Sequence, residues 1–161
     1  MKLHKQVLLG TALVLALAMP AFAQVEKAAM RTTGISCGVC AAVSEVNLRR
    51  ITGVDSVAIS KSNESVMVSY KPGADFRPVE IRKVFEPLNV TISQFQVSAR
   101  GRVQDQDGKR FFVAGRDRFV LAAAAPNMPK VPSGTPVIVE AVLNDKLNPM
   151  ELRVLAFRPA N

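Results

Sequence analysis

The period of the apolar positions changes several times along this chain, and each change marks an element. From Glu26 to Thr33 apolar and polar residues follow one another as in a half-buried strand. Ala41, Ser44, Leu48 and Ile51 then recur at i, i+3, i+7 and i+10, one face of a helix that starts near Cys40 and stops at Gly53. Alternation returns with Val57 and Ile59, and again with Val66, Val68 and Tyr70, on either side of the polar turn Lys61-Ser62-Asn63-Glu64. That pattern predicts a hairpin. Lys71-Pro72-Gly73 breaks the second strand, and Pro78 sits where the first turn of a helix tolerates proline. Ile81, Val84, Phe85 and Leu88 form the apolar face of this second helix, which Pro87 brings to an end. Ile92, Phe95 and Val97 alternate once more between Val90 and Ala99. The order predicts an α+β unit of ferredoxin-like βαββαβ type, with two helices on one face of a four-stranded antiparallel sheet.

Beyond Ala99 the helical period disappears. Asp107-Gly108 is a tight-turn pair between the runs Ser98–Gln106 and Lys109–Ala114, and a further apolar run covers Phe119–Ala124. Pro126, Pro129, Pro132 and Pro136 mark a long loop before the strands Val137–Leu143 and Met150–Phe157. These short strands predict a small all-β domain over residues 100–161, a β-barrel or an open sheet, for which an OB-like fold is the nearest shape. A unit of this size is marginal alone, so it is expected to pack on the first domain, residues 24–99, with the run from Val90 to Gln104 shared as one strand.

The first 23 residues belong to neither unit. Met1-Lys2-Leu3-His4-Lys5 is a basic start, Val7 to Ala18 is an apolar run, and Ala21-Phe22-Ala23 carries small residues where a signal peptidase cuts. The run is shorter than the roughly 20 residues of a spanning helix, so residues 1–23 are read as a cleaved signal peptide, with no membrane span after cleavage and a periplasmic or secreted product. Cleavage removes Lys2, Lys5 and the sole histidine, His4, leaving 19 Lys plus Arg against 13 Asp plus Glu, a formal charge of +6. A chain without histidine has no imidazole base, which excludes Ser-His-Asp and Cys-His catalysis. No other catalytic set is present, and the chain is read as a binding protein, not an enzyme.

What remains is Cys37 and Cys40, the only cysteines, in Gly34-Ile35-Ser36-Cys37-Gly38-Val39-Cys40. A thiolate at a helix N-terminus is stabilised by free backbone N–H groups and the helix dipole. Two thiolates without a second pair or a histidine cannot close a tetrahedral zinc site within one chain. They suit an ion content with two soft ligands, Cu(I) first and Hg(II) next, with Zn(II) or Cd(II) requiring shared or solvent ligands. Met30 and Met67 are soft side chains in strand patterns, read as packing. The same spacing also serves redox exchange, and a bare Cys37–Cys40 disulfide would close so small a loop that it stabilises little.

These residues carry a resemblance. Gly34-x-x-Cys37-x-x-Cys40, the helix to Ile51-Thr52-Gly53-Val54, and the strand Glu64-Ser65-Val66-Met67-Val68-Ser69-Tyr70-Lys71-Pro72 together resemble the heavy-metal-associated domain of copper chaperones, copper ATPases and the periplasmic mercury-binding protein, over about Val25 to Ala99. The resemblance implies a ferredoxin-like fold and soft-metal binding by the two cysteines. Ile35 and Ser36 depart from the family's Met and Thr; Ser36 can cap a helix as Thr does. Ser44 stands at a buried aliphatic position, so either Val43 turns inward or the hydroxyl bonds back to a carbonyl one turn earlier. The loop Leu88-Asn89-Val90 lacks the Lys, Phe or Tyr that relatives place near the metal.

The basic residues Arg100, Arg102, Lys109, Arg110, Arg116 and Arg118 cluster in the second half. For an exported chain they suggest a partner metalloprotein or an anionic envelope component rather than nucleic acid. The carboxylates Asp105, Asp107, Asp117, Glu140, Asp145 and Glu151 are read as solvated. The expected function is sequestration or transfer of one Cu(I)- or Hg(II)-type ion. The alternative is a structural or interaction protein of the envelope, whose β-rich half binds a partner and whose cysteines form a disulfide or redox pair.

Overall fold

A computed structural model describes residues 23–123 and 126–160; the predicted signal segment up to residue 22 lies outside them. Strands β1 (Gln24–Thr33), β2 (Val54–Ser60), β3 (Ser65–Tyr70) and β4 (Thr91–Gln106) and helices α1 (Gly38–Arg49) and α2 (Pro78–Phe85) form the first unit in the order βαββαβ. Its sheet runs β2-β3-β1-β4, every pairing antiparallel. The faces predicted from periodicity point inward: Ala41, Ser44 and Leu48 from α1, Ile81 and Phe85 from α2, and Val66, Val68 and Tyr70 from β3 are all buried. Helix α1 is followed by a C-cap at Arg50 rather than at Gly53, which serves the next turn with φ +89°. Among the described residues no helix is long and apolar enough to cross a membrane.

The second unit adds β5 (Lys109–Ala114), β6 (Asp117–Leu121), β7 (Pro136–Asn144) and β8 (Glu151–Pro159). With the far part of β4 they close on themselves in the order β4-β5-β6-β8-β7, back to β4. Among the pairings of these strands in the described residues, β6–β8 is the parallel one. The result is a small β-barrel filled by Val103, Phe112, Phe119, Val139, Leu152 and Val154. The turn Asp107-Gly108 has both φ values positive, 52° and 72°, the conformation that matches the twist of a tight hairpin.

Strand β4 belongs to both units. One edge pairs with β1 through Thr91–Arg100 and then with β5 through Arg102–Gln106, while the other edge pairs with β7 through Phe95–Arg102. The strand therefore crosses residues 99–100 without a break, and the buried side chains of both units form one cluster. Gly101 sits at this crossing: a Cβ there would lie 2.2 Å from the Val113 carbonyl oxygen, so only glycine lets β4 pass so close to β5.

Two carboxylates expected to be solvated, Asp117 and Asp145, bind across this junction instead. Asp145 is only 6% exposed and makes a two-pronged pair with Arg82 of α2, whose guanidinium also lies 5.5 Å from the centre of the Phe95 ring. Arg116 pairs with Asp75 at 3.2 Å. Asp117 accepts the Phe76 N–H at 3.1 Å, and burial pushes its carboxyl up to about 6, with Asp75 raising it further and Arg116 opposing. A carboxyl raised in the folded state binds its proton more tightly there than in the unfolded chain, so stability falls as pH rises from about 4 to about 6 and is flat above. Solvent screening around this half-buried group limits the loss to on the order of 1 kcal/mol. Asp117→Asn should therefore raise stability by about that amount at pH 7, measured by urea unfolding, and leave it unchanged at pH 4.

Ser44 resolves in neither of the two expected ways. Val43 stays 38% exposed, Ser44 is fully buried, and its hydroxyl has no hydrogen-bond partner. The backbone register of α1 fixes that side chain inward, and the hydroxyl bears the desolvation.

Candidate metal centre

The loop that carries the cysteines is held from three sides. Strand β1 delivers it, and Glu64 of the β2–β3 turn fastens it: the Glu64 carbonyl accepts from the Thr32 N–H and hydroxyl, both at 2.8 Å, and its carboxylate accepts from the Gly34 N–H at 3.0 Å. Ile35 is fully buried and anchors the loop in the core. On the third side, Gly34 has φ +96°, and a Cβ there would lie 3.1 Å from the Asn89 carbonyl oxygen. The Leu88-Asn89-Val90 loop therefore packs against the cysteine loop through its backbone, although it offers no side chain of the expected kinds.

Helix α1 begins at Gly38, two residues earlier than its periodicity indicates. Cys37, not Ser36, takes the N-cap position, with extended φ/ψ of −62° and 124°. Its sulfur accepts the Cys40 N–H at 3.4 Å, and its carbonyl accepts the Ala41 N–H at 2.9 Å. A capping sulfur turns one of the unpaired N–H groups of the first turn toward the ligand atom. Cys40 follows on the same side of that turn, three residues on. Gly38 between them faces open space.

Both cysteines are free thiols, Cys37 exposed and Cys40 half-buried. The Cys40 thiol and backbone N–H beside Cys37 lower its pKa below the ordinary cysteine value, while the same sharing raises Cys40. The opposite directions make Cys37 the first of the pair to become thiolate, the form in which cysteine would bind a soft cation. Among the described residues no three His, Cys, Asp or Glu side chains come together. Met30 is buried in the core, and Met67 is exposed on the sheet paired with Ala29, four residues before the end of β1. Neither lies on the cysteine loop.

Two features of the site were not legible beforehand. The role of Glu64 follows from a turn with φ 44° that aims its carboxylate at Gly34, a contact 30 residues away in sequence. Val39, between the cysteines, is 73% exposed and is followed along α1 by exposed Val43 and Val46, an apolar stripe beside the thiols.

No family model matches the sequence, and no curated protein is similar to it at a significant level. Among solved structures, the yeast copper transporter domain CCC2A, studied in its apo and Cu(I)-loaded states, shares 19–20% identity over 42% of this chain and 90–93% of its own, with a TM-score of 0.37. A copper form of a CopA variant from Bacillus subtilis shares 28% identity over 44% of this chain and 92% of its own, also with a TM-score of 0.37. The likeness to these copper-handling domains covers less than half of the chain.

Proposed function

We propose that this protein binds one soft metal ion, Cu(I) first and Hg(II) next, between the Cys37 and Cys40 thiolates, and sequesters it or hands it on. The observation that carries the reading is the pair itself: the only two cysteines sit on one surface turn, as free thiols, with the first of them biased toward thiolate. No histidine follows His4, so the chain beyond the leader has no other strong soft donor. Two sulfurs bind Cu(I) in a near-linear geometry that leaves the ion open to attack by an incoming thiolate, which is what transfer requires. Residues 24–99 are the metal-binding unit in this proposal and residues 100–161 an OB-type interaction unit; the division is one of function, since the core is shared. Export with cleavage after Ala23, to the periplasm or beyond, completes the reading.

The reduced protein should bind one Cu(I) per chain in competition titration, and X-ray absorption should find two short copper–sulfur bonds and no nitrogen shell. Four sulfur or nitrogen ligands from one chain would refute the assignment.

A further inference from the structure

The barrel carries a cationic face that the metal reading does not use. On the outer side of β4, β5 and β6 the pairings place Arg102, Val113 and Arg118 in one row, Gln104, Phe111 and Val120 in the next, and Gln106 with Lys109 in the third. Arg102, Lys109 and Arg118 form no ion pair within 4.0 Å among the described residues, although Arg82, Arg100, Arg110 and Arg116 all do. Arg118 is nonetheless held in place. Its guanidinium lies 3.8 Å from the centre of the Phe111 ring and donates to Gln106 Oε1. An arginine pinned flat in this way has already given up the rotamer freedom that binding would cost, and its remaining N–H groups are free for a carboxylate. A depression of about 420 Å³ opens over it, lined by Gln106, Asp107, Lys109, Phe111, Arg118 and Pro149.

We infer that this face docks an acidic segment of a partner polypeptide. The ligand must be anionic, because the three unpaired cations Arg102, Lys109 and Arg118 outnumber the carboxylates on this face, Asp107 of the turn and Glu151 beside Val120. Arg102 and Arg118 are two strand spacings apart, about 10 Å, and Lys109 lies about 13 Å along β5 from their row. An extended peptide repeats its side chains on one face about every 7 Å and can reach all three. Nucleic acid fits less well, because bases need free aromatic faces. Phe111 is covered by Arg118, and Phe112 and Phe119 are fully buried in the barrel. A membrane surface fits less well too, since the apolar residues on this face are half-buried Val113 and Val120 and a Phe111 ring covered by Arg118.

The test titrates the whole, copper-free chain with labelled poly-L-glutamate, so its outcome does not depend on the metal reading. Binding should weaken with salt, and Arg118→Gln should lower affinity about ten-fold, the worth of one charge-assisted hydrogen bond. Phe111→Leu should also weaken binding at unchanged charge, because it releases Arg118. The distant pair Lys61→Gln/Lys71→Gln, which removes more charge, should change affinity less than Arg118→Gln. The proposal fails if that pair weakens binding as much as Arg118→Gln, if Phe111→Leu has no effect, or if oligo(dT) or phosphatidylglycerol vesicles bind more tightly than poly-L-glutamate.

Discussion

Replacing Cys37 or Cys40 by serine should remove nearly all Cu(I) affinity and leave the fold intact. The loss should be large because the ion has no substitute: the described residues hold no three-membered cluster of candidate ligands, and the sequence has no third cysteine and no histidine after His4. A hydroxyl is a hard, neutral donor where a soft anionic thiolate is needed, so competition titration should show a loss of several orders of magnitude in the single variants. Stability should change little, because Cys37 is exposed and Cys40 only half-buried. The two substitutions differ in one respect. Serine at Cys37 still caps α1, since a hydroxyl accepts the Cys40 N–H as the sulfur does, so Cys37→Ser should preserve or slightly raise helix stability. Oxidation of the pair should abolish copper binding as thoroughly, because a disulfide has no thiolate to offer. Cu(I) binding by Cys37→Ser/Cys40→Ser as tight as the parent's would remove the metal assignment.

Why the cysteine pair could be read from sequence, and the rest of the site only in part, follows from the range of the interactions. Spacing and a following helical period are local, and they placed Cys37 and Cys40 at a helix start. The cap itself was misassigned to Ser36 because serine is the commoner capping residue; the chain prefers Cys37 there because Ile35 must be buried, which leaves Ser36 on the exposed side of the loop. The hairpin at Lys61–Glu64 and the Asp107-Gly108 turn were legible for the same local reason. The barrel's closure was not, since a parallel contact between β6 and β8 and the pairing of β4 with β7 join segments far apart in sequence. Nor was the burial of Asp145, whose partner Arg82 lies 63 residues earlier in another element. A carboxylate in a turn-rich stretch reads as solvated until the tertiary fold brings an arginine over it.

Phe76→Ala should destabilise the whole chain, not one half of it. Phe76 is 5% exposed in the connection between β3 and α2, with ring centres 5.9 Å from Tyr70, 6.2 Å from Phe95 and 6.4 Å from Phe119. Tyr70 belongs to the sheet of the first unit, Phe95 to the shared strand, and Phe119 to the interior of the barrel. Its N–H is bound by Asp117 at 3.1 Å, so the residue is held from both sides of the junction, by Tyr70 and Phe95 on one and by Phe119 and Asp117 on the other. Truncation leaves a cavity between two units that cannot move together, because β4 is already paired to β1 and β5 on one edge and to β7 on the other. The expected loss is about 3–5 kcal/mol, the usual cost of removing a buried phenylalanine whose surroundings do not collapse. Since β4 and the single hydrophobic cluster are common to both units, amides of β3 and of β6 should lose hydrogen-exchange protection by the same amount, and urea unfolding should remain one transition. Protection lost in β3 while β6 keeps its own would mean that the barrel is stable without the sheet, and the shared strand would then be a linker between two independent folds.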